Sequence, residues 1–187
     1  MGRIVWIVST SLDGFFEGPG ADLSWHRVDE ELHHHFNEMI GAMGSQIEGR
    51  VMYQLMAAYW PTADRDPAAS PAIREYARIW RDVPKYVFSR TLQHADWNST
   101  LVRDVVPADI RALKAQPGGD LSLGGADLSA SFLRHDLIDE LRIYIHPVIV
   151  GRGRYPFPPD VHLPLRLVET RRFGNGVVLL HYEVARA

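Results

Sequence analysis

The sequence predicts an α/β domain on a mixed, mostly parallel central sheet, and three features carry that prediction. Ile4 to Val8 is an unbroken apolar run, as expected of a strand covered on both faces. Between Pro84 and Arg134 short apolar segments alternate with amphipathic ones, the rhythm of strand-helix-strand crossovers. Towards the C-terminus the period falls to two, with Leu141, Ile143 and Ile145 alternating with Arg142, Tyr144 and His146, and Val178, Leu180 and Tyr182 alternating with Leu179, His181 and Glu183. Phe173-Gly174-Asn175-Gly176-Val177 reads as a hairpin turn that makes the last two strands antiparallel.

In chain order, the first strand is followed by turn chemistry at Asp13-Gly14 and Gly18-Pro19-Gly20, so about Thr10 to His26 reads as a long loop of functional length. Asp29 caps a first helix whose apolar positions are Leu32, Phe36, Met39, Ile40 and Met43, ending near Gly41 or Gly44. Arg50 to Tyr59 is a second helix closed by Trp60-Pro61, and Ile73, Tyr76, Ala77 and Trp80 mark a third. Pro61 to Pro71 reads as a surface connection between them. Then follow a strand at Lys85–Ser89, one around Thr100–Val102, a helix from Pro107 to Ala115, a strand at Asp120–Leu123 and a helix from Ala126 to Arg134.

With 187 residues and 46% hydrophobic side chains, the chain supplies one core, and a single domain over residues 1–187 is expected. Twenty basic and 23 acidic side chains leave a net charge of −3, which argues against nucleic acid or an anionic membrane as partner. The absence of cysteine removes disulfides, thiolate metal sites and cysteine nucleophiles. The short N-terminal apolar run is no targeting segment, so a cytoplasmic protein is expected.

Four segments at strand ends carry candidate chemistry. Gly124-Gly125-Ala126 joins a strand to a helix, where bare backbone amides and the helix start suit a pyrophosphate; a tight turn is the plain alternative. Gly49-Arg50 and Ser89-Arg90 offer guanidiniums to an anion, although arginines in such places are also common as solvated or structural residues. Asp13 follows the first strand and is placed to orient a substrate or move a proton, or else to bond its own turn. His33-His34-His35 point three ways on a helix, which denies them a shared metal and assigns them to a solvated or intersubunit surface; no metal site is expected. Arg152-Gly153-Arg154 reads as a mobile connection. GxSxG, P-loop and HExxH motifs do not occur.

Taken in order, Ser11-Leu12-Asp13-Gly14, Gly49-Arg50-Val51-Met52-Tyr53, Val87-Phe88-Ser89-Arg90, Gly124-Gly125 and the segment Asp139 to Gly153 resemble the dihydrofolate reductase-like superfamily. Within it they most resemble the reductase domain of the riboflavin-biosynthesis deaminase-reductases and the small stand-alone proteins similar to it. The resemblance implies a three-layer α/β/α fold, NADPH as hydride donor and a homodimer. It places Gly49, Arg50, Ser89 and Arg90 around the adenosine 2′-phosphate, and Gly124, Gly125 and Ala126 at the pyrophosphate. It makes Asp13 the catalytic residue and lets Phe15 and Trp25 wall a small-molecule substrate of heterocyclic or pyrimidine-ribose type. The alternatives are a non-catalytic dimeric nucleotide- or pterin-binding protein, a dihydrofolate reductase proper, or a plain interaction module. Two features depart from the family pattern: Met52 stands where Thr is common, and Ser45-Gln46-Ile47-Glu48 is polar where an apolar strand is expected. The zinc signatures of a deaminase domain are missing.

Overall fold

The computed structural model describes residues 1–186. Its elements, in chain order, are β1 (Ile4–Ser11), α1 (Glu30–Gly41), β2 (Ser45–Gly49), α2 (Arg50–Tyr59), a 3₁₀ helix (Trp60–Arg65), α3 (Pro71–Asp82), β3 (Lys85–Phe88), β4 (Ser99–Val102), α4 (Pro107–Ala115), β5 (Leu121–Gly124), α5 (Ala126–Arg134), β6 (Glu140–His146), β7 (Leu165–Arg172) and β8 (Val178–Val184). The sheet runs β4-β3-β2-β5-β1-β6-β8-β7. Its first six strands are parallel, whereas β8 is antiparallel to both β6 and β7. This is the mixed, mostly parallel α/β fold that the sequence predicts.

Each face of the sheet owns a core. Ile4, Trp6, Ile47, Leu121 and Leu123 pack with Ile110 of α4 and Phe132 and Leu133 of α5. On the other face Val87 and Ile7 meet Met39 and Ile40 of α1, Tyr53 of α2 and Tyr76 and Trp80 of α3. Period-two alternation along each strand divides the two sets. The Asp29 carboxylate accepts from the Leu32 amide at 3.0 Å, which is the expected cap of α1. The turn at Phe173–Val177 closes through the Phe173 amide on the Val177 carbonyl at 2.9 Å.

Where structure and sequence differ, packing is the reason. The first strand runs on to Ser11, because Ser9, Thr10 and Ser11 pair with β6. Pro61 and Ala63 are buried within the 3₁₀ helix, so Pro61 to Pro71 is in part an anchored cap over α3 rather than a surface connection. Only His34 of the histidine triplet is solvated. His33 bonds Asn37 at 3.1 Å, and His35 bonds the Tyr144 hydroxyl at 2.8 Å, because both flank the apolar stripe of α1 closely enough to be drawn in. Arg154 is likewise tied down: it donates to Glu17 at 3.0 Å and to Asp127 at 2.7 Å.

The chain crosses itself closely where α1 meets β2. A Cβ on Gly44 would lie 1.7 Å from the Gly118 carbonyl oxygen, and the Gly44 amide donates to the Asp120 carbonyl at 2.8 Å. Backbone cannot yield as a side chain does, so Gly44→Ala is expected to cost about 3 kcal/mol. A urea titration of the variant checks this.

Candidate functional site

The candidate site grows from register. Gly49 pairs with Phe88 of β3 and Glu48 pairs with Gly124 of β5, so three neighbouring strands end side by side. Ser89-Arg90, Gly49-Arg50 and Gly124-Gly125-Ala126 therefore leave one rim at the C-terminal edge of the sheet, where ligands settle in open α/β folds. Two helices begin on this rim. Their caps are Gly49 and Gly125, which provide no side-chain hydrogen bond to the first-turn amides. Gly125 adopts φ +96°, and a Cβ there would sit 3.6 Å from the Gly49 amide nitrogen. The two bare turns thus face each other, with both helix dipoles favouring negative charge between them.

The two arginines differ. Arg50 is exposed, bonds the neutral Gln54 at 2.9 Å, and has no carboxylate partner among the described residues. Arg90 is held by Asp104 through Nε at 2.8 Å. Ser89 Oγ accepts from the amides of Thr91 and Leu92 at 3.2 and 2.9 Å, and so shapes its own turn.

Asp13 spends its carboxylate on the fold. Its two oxygens accept from the amides of Val150 and Gly151 at 3.1 and 2.7 Å. The Ser11 hydroxyl, with these amides, holds it below the usual carboxylate range, an ionised acceptor rather than a proton donor. Phe15 is buried against Tyr155, with ring centres 4.4 Å apart. Trp25 meets His26 and His146 edge-on, and its indole donates to the Asp22 carbonyl at 3.1 Å. Neither aromatic ring lines the cavity described next.

A cavity of about 230 Å³ opens between the sheet, α1, α2 and the 3₁₀ helix. Ile7, Phe36, Met39, Ile40, Met56 and Trp60 give it apolar walls. Gln46, Glu48 and Ser122 give it a polar end on the sheet itself. Gly124 and Met52 belong to both cavity and rim: a Cβ on Gly124 would lie 2.3 Å from the Met52 sulfur, which rests on the bare backbone. Burial raises the Glu48 carboxyl to about 7, against the opposing pull of the Lys85 charge. Burial lowers the Lys85 ammonium to about 8. The polarity of Ser45 to Glu48 was the one signal in the sequence for this cavity end. Only the strand's neighbours show that Gln46 and Glu48 border a cavity.

A mostly parallel sheet whose bare glycine rim opens beside an apolar cavity is a fold shared with solved dihydrofolate reductase. The chain belongs to the RibD C-terminal domain family, whose model matches residues 3–179. It is similar to the uncharacterized protein YyaP of Bacillus subtilis (strain 168), with 33% identity over 183 residues, 96% of this chain and 94% of YyaP. Among solved structures, a putative riboflavin biosynthesis protein from Shewanella sp. PV-4 superposes with a TM-score of 0.75 at 20% identity, covering 98% of this chain and 99% of that one. Dihydrofolate reductase from Enterococcus faecalis, complexed with NADP(H), superposes with a TM-score of 0.65 at 16% identity, covering 99% and 98%. Among the described residues, no helix is long and apolar enough to cross a membrane, and no group of three His, Cys, Asp or Glu residues is placed to hold a metal ion.

Proposed function

We propose that the chain is an NADPH-dependent reductase of a small heterocyclic or pyrimidine-ribose-type substrate. One observation carries the reading: Gly124 is at once part of the bare rim and part of the cavity wall, so a dinucleotide on the rim would reach the cavity directly. Membership in the RibD C-terminal domain family and the likeness to a fold solved with NADP(H) support it.

The residues present fit such a cofactor. The amides of Gly124, Gly125 and Ala126 would receive the pyrophosphate, and Gly49 and Arg50 the 2′-phosphate, with Ser89 and Arg90 bounding that end. The bound cofactor supplies a hydride; the protein supplies position and a dry, apolar cleft. Asp13 joins the loop after β1 to the segment after β6, and Phe15 and Trp25 shape that loop beside the cleft. A homodimer is part of the proposal: β7 is an edge strand exposed along its whole length and carries Leu165, Leu167 and Val168 on its surface. Light scattering would report it.

Titration with NADPH and NADH, followed by tryptophan fluorescence, tests the reading. NADPH is expected to bind at least about tenfold more tightly, the effect of one charge-assisted contact; equal affinities would overturn it. A binding-only role on the same scaffold is favoured by one observation, the Met52 sulfur lying on Gly124 where a Thr hydroxyl would meet phosphate. Oxidation of bound NADPH in the presence of a pyrimidine or pterin panel separates the two.

A further inference from the structure

His33 is the member of the histidine triplet that lines the cavity, and its neighbours fix where its proton sits. One turn further along α1, the buried Asn37 amide donates through Nδ2 to the Ala72 carbonyl at 2.9 Å and to the Glu75 carboxylate at 2.8 Å. Both of those partners are acceptors only, so the amide nitrogen must stand there and Asn37 Oδ1 must face His33. Across the 3.1 Å contact between Oδ1 and His33 Nδ1 the imidazole is therefore the donor. In the neutral ring that places the proton on Nδ1 and leaves a lone pair on Nε2. Trp60 and Tyr76 hold the ring edge-on, with centres 5.8 and 5.9 Å away and planes at 73° and 84°. Nε2 has no hydrogen-bond partner among the described residues, and it is open rather than sealed within the fold.

The other polar groups around the cavity leave this lone pair as the discriminating one. Glu48 turns towards the Trp80 indole and Gln46 towards the Tyr76 hydroxyl, so their oxygens are not accessible from the cavity. The Ser122 hydroxyl can donate or accept, and so admits either kind of partner. Nε2 of a neutral imidazole can only accept. Phe36, Met39, Ile40 and Met56 surround it with hydrocarbon, where two acceptors set face to face would leave both unpaired.

We propose that His33 is the specificity-determining acceptor of the cavity: it takes ligands that turn a neutral O–H or N–H donor towards α1, and it rejects those that turn a carboxylate or an ether oxygen there. The reductase reading makes that ligand the substrate, and the proposal rests on it for this step alone. His33 takes no part in hydride transfer; it decides which end of the ligand lies against α1. Its ring is already oriented by Asn37, Trp60 and Tyr76, so accepting a hydrogen bond requires no rearrangement of the fold. The Glu75 carboxylate at the far end of the relay polarises Asn37 and, through it, strengthens Nε2 as an acceptor.

The test uses the whole chain in mildly alkaline buffer, which keeps an ordinary imidazole neutral. Phenol, anisole and benzoate are the probes: a donor, its methyl ether and an anionic acceptor on the same ring. Binding is read by nitrogen-15 NMR of protein labelled at histidine. Before any probe is added, the His33 signals should show the proton on Nδ1. Phenol is expected to bind about tenfold more tightly than anisole, the effect of one hydrogen bond, and benzoate more weakly than either. Phenol alone should move the Nε2 resonance, a change that a purely structural histidine would not show. His33→Phe keeps the edge-on contacts and removes the acceptor, so the preference for phenol disappears while anisole affinity is retained. In His33→Gln the amide can donate to Asn37 and turn Oε1 to the cavity, which restores the preference. A proton found on Nε2 in the free protein, equal affinities for phenol and anisole, or a His33→Phe variant that keeps the preference overturns the proposal. Equal affinities for NADPH and NADH overturn the reductase reading instead, and leave the phenol preference as a property of the cavity.

Discussion

Arg50→Ala is expected to reduce the preference for NADPH over NADH by about 10- to 100-fold, the size of one or two charge-assisted hydrogen bonds to phosphate. The loss falls on NADPH alone, because NADH has no 2′-phosphate for the guanidinium to hold. Folding should be nearly untouched: Arg50 is exposed, and its hydrogen-bond partner, Gln54, is neutral. Arg90→Ala is expected to do less. Its guanidinium is bound to Asp104, and a phosphate would have to displace that carboxylate before gaining anything. Paired titrations of both variants with the two dinucleotides check the ordering. An unchanged ratio in Arg50→Ala would remove Arg50 from the 2′-phosphate site.

The second large effect is acid lability through His146. This side chain ends β6, is 1% exposed, and stacks on His26 with ring centres 5.0 Å apart and planes within 15°. Its Nδ1 accepts from the Arg27 amide at 3.1 Å, which leaves the ring proton on Nε2. A second proton would have to go on Nδ1, against that amide. Burial is the main cause that lowers His146 to about 4, and the nearby His26 and Arg27 add to it. The unfolded chain binds this proton near 6.5, so between 6.5 and about 4 the unfolded state holds more protons than the folded one. Stability present above pH 6.5 is therefore lost as the pH falls towards 4, to an extent of about 3 kcal/mol over the full passage. In His146→Phe the stack is kept and the titration removed. Urea midpoints of the variant should start lower at neutral pH, since the Arg27 amide loses its acceptor, and should decline less between 6.5 and 4. Parallel slopes for parent and variant would refute the assignment.

Much of the fold could be read from local rules. The cap at Asp29, the run at Ile4 to Val8 and the turn at Phe173 to Val177 each depend on neighbours in sequence, and each took its expected form. The rim was readable for the same reason: Gly49 and Gly124 each sit where a strand becomes a helix, and a parallel sheet brings such junctions to one edge. What escaped depended on distant partners. Nothing near Asp13 announces the amides of Val150 and Gly151 that occupy it. Nothing near Phe15 announces Tyr155, which turns its ring away from the cavity. The oddly polar β2 was visible as an exception, but its meaning required the walls contributed by α1 and α2.

Asp13 on Val150 and Gly151, the pairing of Glu17 with Arg154, and Gly153 lying so near the Glu17 carbonyl that a Cβ would fall 2.0 Å from it, stitch two loops that are far apart in sequence. They behave as one exchangeable part. A graft that imports the first loop from a relative without the second would cut every stitch, whereas transplanting both together preserves them. Substitutions in the two loops should accordingly fail to add in double-mutant cycles, so redesign of this end of the molecule has to treat residues 12–29 and 147–164 as a single unit.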